Sequence, residues 1–303
     1  METKKKYELT NKTIEFNGIT LHRIKALRSF SNVNEGDLGG WIEKEENLSQ
    51  IDDAWIGGYA KVYKNAKVFG NAQVYGDAIV SYNAEVFGDA VVYGNAKVHG
   101  DAQVYGDAIV YGNAEVFSNA EVYDNAEVYG NAILYGDAIV YGFAEIYRNA
   151  WVFGKSKVYG NARICGNAKV CGDARVHNNA MVGDNARVFV NADVYGNARI
   201  YNDAMVYGNA KVYGYAKVFG NARVHGNAQV YGLAKVYGIA WVYGNAVAFG
   251  KSKIYGGARI YGDAKVFGNA EVYGDARICD NAKVCGVARV CGNAYNTKNK
   301  DEE

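Results

Sequence analysis

Asn71-Ala72-Gln73-Val74-Tyr75-Gly76 is one unit of the six-residue repeat that decides the fold of this 303-residue chain. From Ala54 to Ala294 a small residue recurs every six positions, at 41 sites, and it is alanine everywhere except at Ser156 and Ser252. A period of six cannot be helical, because 3.6 does not divide it and the apolar positions would drift around the helix. A short strand followed by a turn fits the period. The sequence therefore predicts a solenoid of short parallel β-strands.

Alternation along each strand predicts which side chains face inward. The position between Ala and Val often carries a charge, as at Lys61, Glu85 and Arg163, and such groups cannot be buried in a dry core. Ala and Val are therefore expected inside, with the charged residue and the following Tyr or Phe outside. We expect Gly to make the turn, helped by Asn or Asp at 32 of the 41 sites before the small residue, because these types tolerate left-handed backbone.

The unit resembles the hexapeptide repeat of the LpxA-like superfamily of left-handed β-helix proteins, whose three-sided coils use 18 residues. The resemblance covers about 240 residues. It implies an all-β, single-stranded left-handed parallel β-helix of about 13–14 coils, and a homotrimer with its helices side by side. The chain departs from the family after the aliphatic residue, where Tyr or Phe stands at 29 of 40 sites instead of a small residue.

Residues 1–50 lack the repeat. Thr13 to Leu21 reads as two alternating strands around Asn17-Gly18, which is a strong hairpin signal. We predict an N-terminal β-hairpin cap over residues 1–50, the β-helix over 51–294 and a polar C-terminal tail over 295–303. The segment containing Gly39-Gly40-Trp41 is similar to the N-terminal region of an uncharacterised bacterial and phage-borne subfamily, the YdcK-like proteins, which carry a transferase label by fold analogy.

Composition excludes several classes of protein. Half of the residues are apolar, which excludes intrinsic disorder, and 33 basic residues balance 32 acidic ones. Acidic groups among the basic ones argue against a nucleic-acid partner. No apolar stretch approaches the ~18 residues of a membrane span, so we expect a cytoplasmic protein without a membrane partner.

The chain offers no evident catalytic, metal or cofactor site. His99, His177 and His225 occupy the outward aromatic position, and the two that share a face, His99 and His225, lie seven coils apart. The five cysteines take the same position, too far apart on any one face for a disulfide, so free thiols are expected. The enzymatic alternative, suggested by the resemblance, is an acyltransferase-like site between protomers.

The outer surface suggests self-association. Apolar residues replace polar ones along a candidate contact strip of Ile133, Trp151, Met205, Ile239 and Trp241, and along a second apolar edge of Phe143, Tyr215, Leu233 and Val287. Residues 51–150 carry 5 basic and 13 acidic side chains, whereas residues 155–294 carry 18 and 8. We predict a non-catalytic structural or interaction rod that forms a homo-oligomer and is borne by a phage or mobile element. The outward aromatic ladders are interpreted as packing, or as a surface for a glycan or another protein.

Overall fold

The computed structural model describes residues 5–292 and 295–296. Its contacts divide the chain into two compact units, unit 1 (Met1–Arg148) and unit 2 (Asn149–Glu303). The strands of unit 1 are β1 (Tyr7–Phe16), β2 (Ile19–Ala26), β3 (Leu38–Ile42), β4 (Trp55–Ile56), β5 (Lys61–Val62), β6 (Lys67–Val68), β7 (Gln73–Val74), β8 (Ile79–Val80), β9 (Glu85–Val86), β10 (Val91–Val92), β11 (Lys97–Val98), β12 (Gln103–Val104), β13 (Ile109–Val110), β14 (Glu115–Val116), β15 (Glu121–Val122), β16 (Glu127–Val128), β17 (Ile133–Gly136), β18 (Ile139–Val140) and β19 (Glu145–Ile146), with a 3-10 turn at Glu45–Asn47.

Unit 2 consists of strands of the same kind. They are β20 (Trp151–Gly154), β21 (Lys157–Val158), β22 (Arg163–Ile164), β23 (Lys169–Val170), β24 (Arg175–Val176), β25 (Met181–Val182), β26 (Arg187–Val190), β27 (Asp193–Val194), β28 (Arg199–Ile200), β29 (Met205–Gly208), β30 (Lys211–Val212), β31 (Lys217–Val218), β32 (Arg223–Val224), β33 (Gln229–Val230), β34 (Lys235–Val236), β35 (Trp241–Val242), β36 (Val247–Ala248), β37 (Lys253–Ile254), β38 (Arg259–Ile260), β39 (Lys265–Val266), β40 (Glu271–Val272), β41 (Arg277–Ile278), β42 (Lys283–Val284), β43 (Arg289–Val290) and β44 (Tyr295–Asn296).

Strands pair in parallel at a separation of 18 residues within each unit. Val92 of β10, for example, lies between Val74 of β7 and Val110 of β13. Every third strand joins the same sheet, so each unit is a three-sided parallel β-solenoid, with about five repeat coils in unit 1 and about eight in unit 2. The predicted all-β solenoid with 18 residues per coil is confirmed.

The core consists of the alanines and aliphatic residues of the repeat. Ala72, Val74, Ala126 and Val128 in unit 1 are completely buried, as are Ala198 and Ile200 in unit 2. The position between them is half-buried or exposed. The inward and outward assignment from alternation is therefore confirmed. Each coil contributes only short side chains to a narrow interior, so a larger residue there has little space.

The turns differ from the expectation in one respect. Glycines such as Gly76 and Gly94 have φ near +70°, and where glycine is replaced the substitute also has positive φ, as at Asn178 and Val190. The Asn or Asp before the alanine is not left-handed, so its predicted role was wrong. Instead its side chain points along the solenoid, and its amide N–H donates to the Asn or Asp oxygen 18 residues later, for example from Asn95 to Asn113 at 3.1 Å.

Val190 occupies the turn position at φ 63°, where a β-branched side chain is strained. We expect Val190→Gly to stabilise the protein by about 1 kcal/mol, since glycine adopts this conformation without steric cost. The measurement is the denaturant midpoint. The reverse change at an equivalent site, Gly214→Val, serves as the control and should lower the midpoint, because its β-carbon would lie 3.0 Å from the backbone nitrogen of Gly232. An unchanged midpoint for Val190→Gly would contradict the strain.

The N-terminal segment forms the predicted hairpin and continues into the solenoid. Phe16 pairs with Ile19 across the Asn17-Gly18 turn, which confirms the hairpin prediction. β3 then pairs antiparallel with β2 and parallel with β5, and Leu48 makes a parallel bridge to Val68. Parallel pairing therefore begins within residues 1–50, the range predicted for the cap.

The hairpin packs on the outer surface of the first coils. Leu21, Trp41 and Tyr63 form a buried cluster against which Ile14, Phe16, Ile19 and Ile79 pack. The buried Lys6 side chain donates hydrogen bonds to the backbone oxygens of Asp52 and Ala54, at 2.7 and 2.8 Å. These contacts attach the cap to the place where the repeat begins.

The predicted C-terminal tail, residues 295–303, lies largely outside the described residues. Its first two residues, Tyr295–Asn296, form β44, which pairs in parallel with β41.

Candidate functional site

The outward aromatic residues stack into columns. In unit 1 the rings of Tyr75, Tyr93, Tyr111, Tyr129 and Tyr147 follow one another with centroids 4.8–5.1 Å apart and planes within 6° of parallel. Tyr195, Tyr213 and Tyr231 form an equivalent run in unit 2, at 4.8 Å. Each ring inside a column is half-buried by its neighbours. The columns therefore act as packing along the sheets.

Tyrosine hydroxyls in unit 1 donate to glutamates 16 residues later. Tyr105 reaches Glu121 at 3.3 Å, and Tyr129 reaches Glu145 at 3.4 Å. Burial within the column, together with the negative charge of Glu121, raises the pKa of Tyr105 to about 12. The aromatic columns and the charged positions are thus linked in a polar network.

Alkaline titration tests this network. The pKa of Tyr105 is 10.0 in the absence of the fold and about 12 within it, so the protonated phenol is favoured by folding. Its contribution to stability is complete below pH 10 and is lost as the pH rises through about 12. We expect Glu121→Gln to lower the pKa of Tyr105, observed as earlier ionisation in the tyrosinate absorbance relative to wild type. A Tyr105→Phe variant identifies the signal. An unchanged titration in Glu121→Gln would contradict the assigned charge effect.

The three histidines of the repeat lie inside columns. His177 stacks between Tyr159 and Tyr195, and its Nε2 is 3.1 Å from Asp193. His99 makes the corresponding 3.0 Å contact with Glu115. Burial lowers the pKa of His225. Within residues 5–292 and 295–296, no three His, Cys, Asp or Glu side chains are grouped so as to hold a metal.

The five cysteines are free thiols, as predicted. They are not uniformly outward, because Cys279 is buried, with 3% of its surface exposed. Burial raises the pKa of Cys171 and of Cys279, so these two thiols are poorly ionised at neutral pH.

The contact strip predicted from apolar residues is interleaved with cations. Within unit 2, Trp151, Met205 and Trp241 lie on one sheet at outward positions in register with basic residues. The complete row, here called the basic face, is Trp151, Lys169, Arg187, Met205, Arg223, Trp241, Arg259 and Arg277. It contains no acidic residue. The 18-residue register of charged positions could have revealed this row, but the sequence reasoning followed only the apolar residues.

The cations of the basic face cover its tryptophans. Arg223 and Arg259 lie over the Trp241 ring from both sides, at 4.9 and 5.3 Å from its centroid. Lys169 lies 4.4 Å from the centroid of Trp151. Both tryptophans are only half-buried, so each presents an indole edge between positive charges.

The remaining predicted apolar residues lie at different places. Ile133 is half-buried on β17 of unit 1, opposite Glu115, and Ile239 is a corner residue of unit 2 with 59% of its surface exposed. Phe143 of unit 1 is 63% exposed. Tyr215, Leu233 and Val287 occupy corner positions of unit 2 and are also exposed. There they replace members of the amide ladder, which leaves apolar gaps.

Unit 1 has a corner of the opposite charge. Asp89, Asp107, Asp124 and Glu127, here called the acidic corner, lie at the start of or within three consecutive strands of one sheet, β10, β13 and β16. Part of this charge is held in place, since Asn71 donates to Asp89 at 2.9 Å and Tyr111 to Glu127 at 3.4 Å.

Comparison with known proteins agrees with this architecture. The family model described as the YdcK β-solenoid repeat matches residues 102–116 and 198–214, which cover β12–β14 in unit 1 and β28–β30 in unit 2. No curated protein matches the chain. Among the described residues, no helix has the length and apolar character needed to cross a membrane. With three-sided coils of 18 residues and matches to that repeat in both units, the chain is a YdcK-like β-solenoid repeat protein.

Proposed function

We propose that this chain is a non-catalytic structural solenoid that associates with copies of itself, the basic face of one copy binding the acidic corner of another. The observation that carries the proposal is the basic face, a row of five cations, two tryptophans and a methionine without an acidic residue. A surface of this kind favours a partner of opposite charge.

The state of the individual charges supports the same partner. Arg187 and Arg277 form no ion pair within the described residues, whereas elsewhere in unit 2 Lys253 pairs with Glu271 at 2.8 Å. Self-association would neutralise these charges without requiring a second kind of molecule. The trimer implied by family resemblance is one closed form of such an assembly.

The tryptophan edges add an apolar component. Cations lie over the ring faces of Trp241, and the adjacent corner residue Ile239 is exposed. The predicted strip thus supplies the centre of the interface, and the surrounding arginines its rim.

The experiment that tests the proposal is the solution mass by light scattering behind a sizing column. A wild-type mass above the 33.0 kDa of one chain, which falls when the basic face is reversed in charge, is the expected result. A mass of 33.0 kDa under all conditions would contradict the proposal.

A further inference from the structure

The Tyr75 column of unit 1 ends at an open position. Trp55 of β4 pairs with Gln73 of β7, so Gly57 stands where the next ring of the column would be. Tyr75 is 43% exposed, whereas Tyr93, below it, is half-buried between two rings. One face of the Tyr75 ring therefore lacks the neighbour that every ring inside the column has.

The open position has room for a ring. A β-carbon built on Gly57 would lie no closer than 3.7 Å to any neighbouring atom, and Gly57 does not have positive φ. The position opens into a groove of about 590 Å³ beneath the loop that joins β2 to β3. Its lining is Asn32, Val33, Asp37, Leu38, Trp55, Gly57, Gly58, Gln73, Tyr75 and Val91.

Trp55 presents an unused hydrogen-bond donor to this position. Its side chain is held edge-to-face by Phe30 at 5.5 Å, and only 7% of the residue is exposed. The indole Nε1 lies 3.8 Å from where the β-carbon on Gly57 would be. In the part of the chain that the structure describes, this N–H donates to no other group.

The other polar groups of the groove complement this donor. The Gln73 amide nitrogen donates to the backbone oxygens of Asp53 and Asn71, both at 3.3 Å, which leaves its carbonyl oxygen as an acceptor. One Asp37 oxygen accepts from the backbone nitrogen of Asn34, and the carboxylate retains further acceptor sites. No lysine or arginine lines the groove.

From this geometry we propose that the groove binds one neutral sugar ring of a glycan. The apolar C–H face of a pyranose stacks on an exposed aromatic ring, and the position has the thickness of one ring in a column spaced at 4.8–5.1 Å. The Trp55 N–H, the Gln73 carbonyl and the Asp37 carboxylate recognise hydroxyl groups, which both donate and accept. The carboxylate and the lack of a cation disfavour an anionic sugar. This site is independent of the self-association proposed above.

The test uses the full chain and a panel of methyl glycosides of glucose, galactose, mannose and N-acetylglucosamine, followed by saturation-transfer NMR and tryptophan fluorescence. We expect at least one of them to bind. Gly57→Tyr, which completes the column, should weaken that binding at least tenfold, as should Tyr75→Leu, which removes the platform. The matched control is Gly183→Tyr, which adds a ring at the equivalent repeat position of unit 2 and should leave the affinity unchanged.

Three results would overturn the proposal. The first is that no member of the panel binds. The second is binding that survives both Gly57→Tyr and Tyr75→Leu. The third is binding of N-acetyltyrosinamide without binding of any glycoside, which would assign the position to an aromatic side chain of a peptide. Circular dichroism identifies a variant that fails to fold, in which case the other variant decides.

Discussion

Replacing Gly40 with alanine is expected to destabilise unit 1 by about 3 kcal/mol, the upper part of the usual range for overpacking. A β-carbon on Gly40 would lie 2.5 Å from Cγ2 of Ile56 and 2.7 Å from the backbone oxygen of Ala60. That oxygen accepts the hydrogen bond of the Trp41 N–H at 2.9 Å, so it cannot move aside without breaking the pairing of β3 with β5. The strain therefore falls on the junction between the cap and the first coil.

The matched control is Gly57→Ala, because a β-carbon there makes only ordinary contacts, at 3.7 Å and beyond. We expect its stability to stay within about 0.5 kcal/mol of wild type. Denaturant unfolding gives the difference in stability, and amide exchange of residues 38–48 shows where it acts. Equal stability of the two variants, or loss of exchange protection only in unit 2, would contradict the role of Gly40.

Reversing two charges of the basic face, in an Arg187→Glu/Arg277→Glu variant, is expected to reduce self-association at least tenfold. Each change removes an attraction to the acidic corner and adds a repulsion, and like charges in an interface cost several kcal/mol. Neither arginine contacts a tryptophan ring or forms an ion pair within the described residues, so the fold should be unaffected. Light scattering as a function of concentration gives the association constant.

The control for this variant is Lys265→Glu/Lys283→Glu, which changes the net charge by the same amount on adjacent strands of another sheet of unit 2. It should associate more tightly than the basic-face variant. Asp89→Asn/Asp107→Asn tests the opposite surface with residues that are common at that corner, and it should weaken association as well. If the two lysine changes weaken association as much as the two arginine changes, the basic face is not the interface.

The repeat made most of the fold predictable. Alternation assigned Val74 and Ala72 to the interior because charged residues at the intervening position could not be buried, and the 18-residue coil follows from a three-sided family. Handedness came from the family resemblance alone. The role of the Asn and Asp residues was wrong because single-residue preferences do not show that residues 18 apart meet, as Asn95 and Asn113 do.

The candidate surfaces were less predictable. Ile239, Trp241 and Met205 were recognised because each breaks the pattern of its own position, but the arginines that complete the basic face conform to the pattern. Gly57 likewise appeared as an ordinary irregularity at the start of the repeat. Only the paired strands place it over Tyr75 and beside the indole nitrogen of Trp55. Such sites depend on how successive coils align and on the loop between β2 and β3.

The most direct test of charge-driven self-association is the mass of the wild-type protein in solution across ionic strength. The account predicts a mass that is a multiple of 33.0 kDa at about 0.01 M salt, where the Debye length is about 30 Å, and a fall toward 33.0 kDa at about 1 M, where it is about 3 Å. A mass of 33.0 kDa at low salt, or an oligomer that salt leaves unchanged, would contradict it.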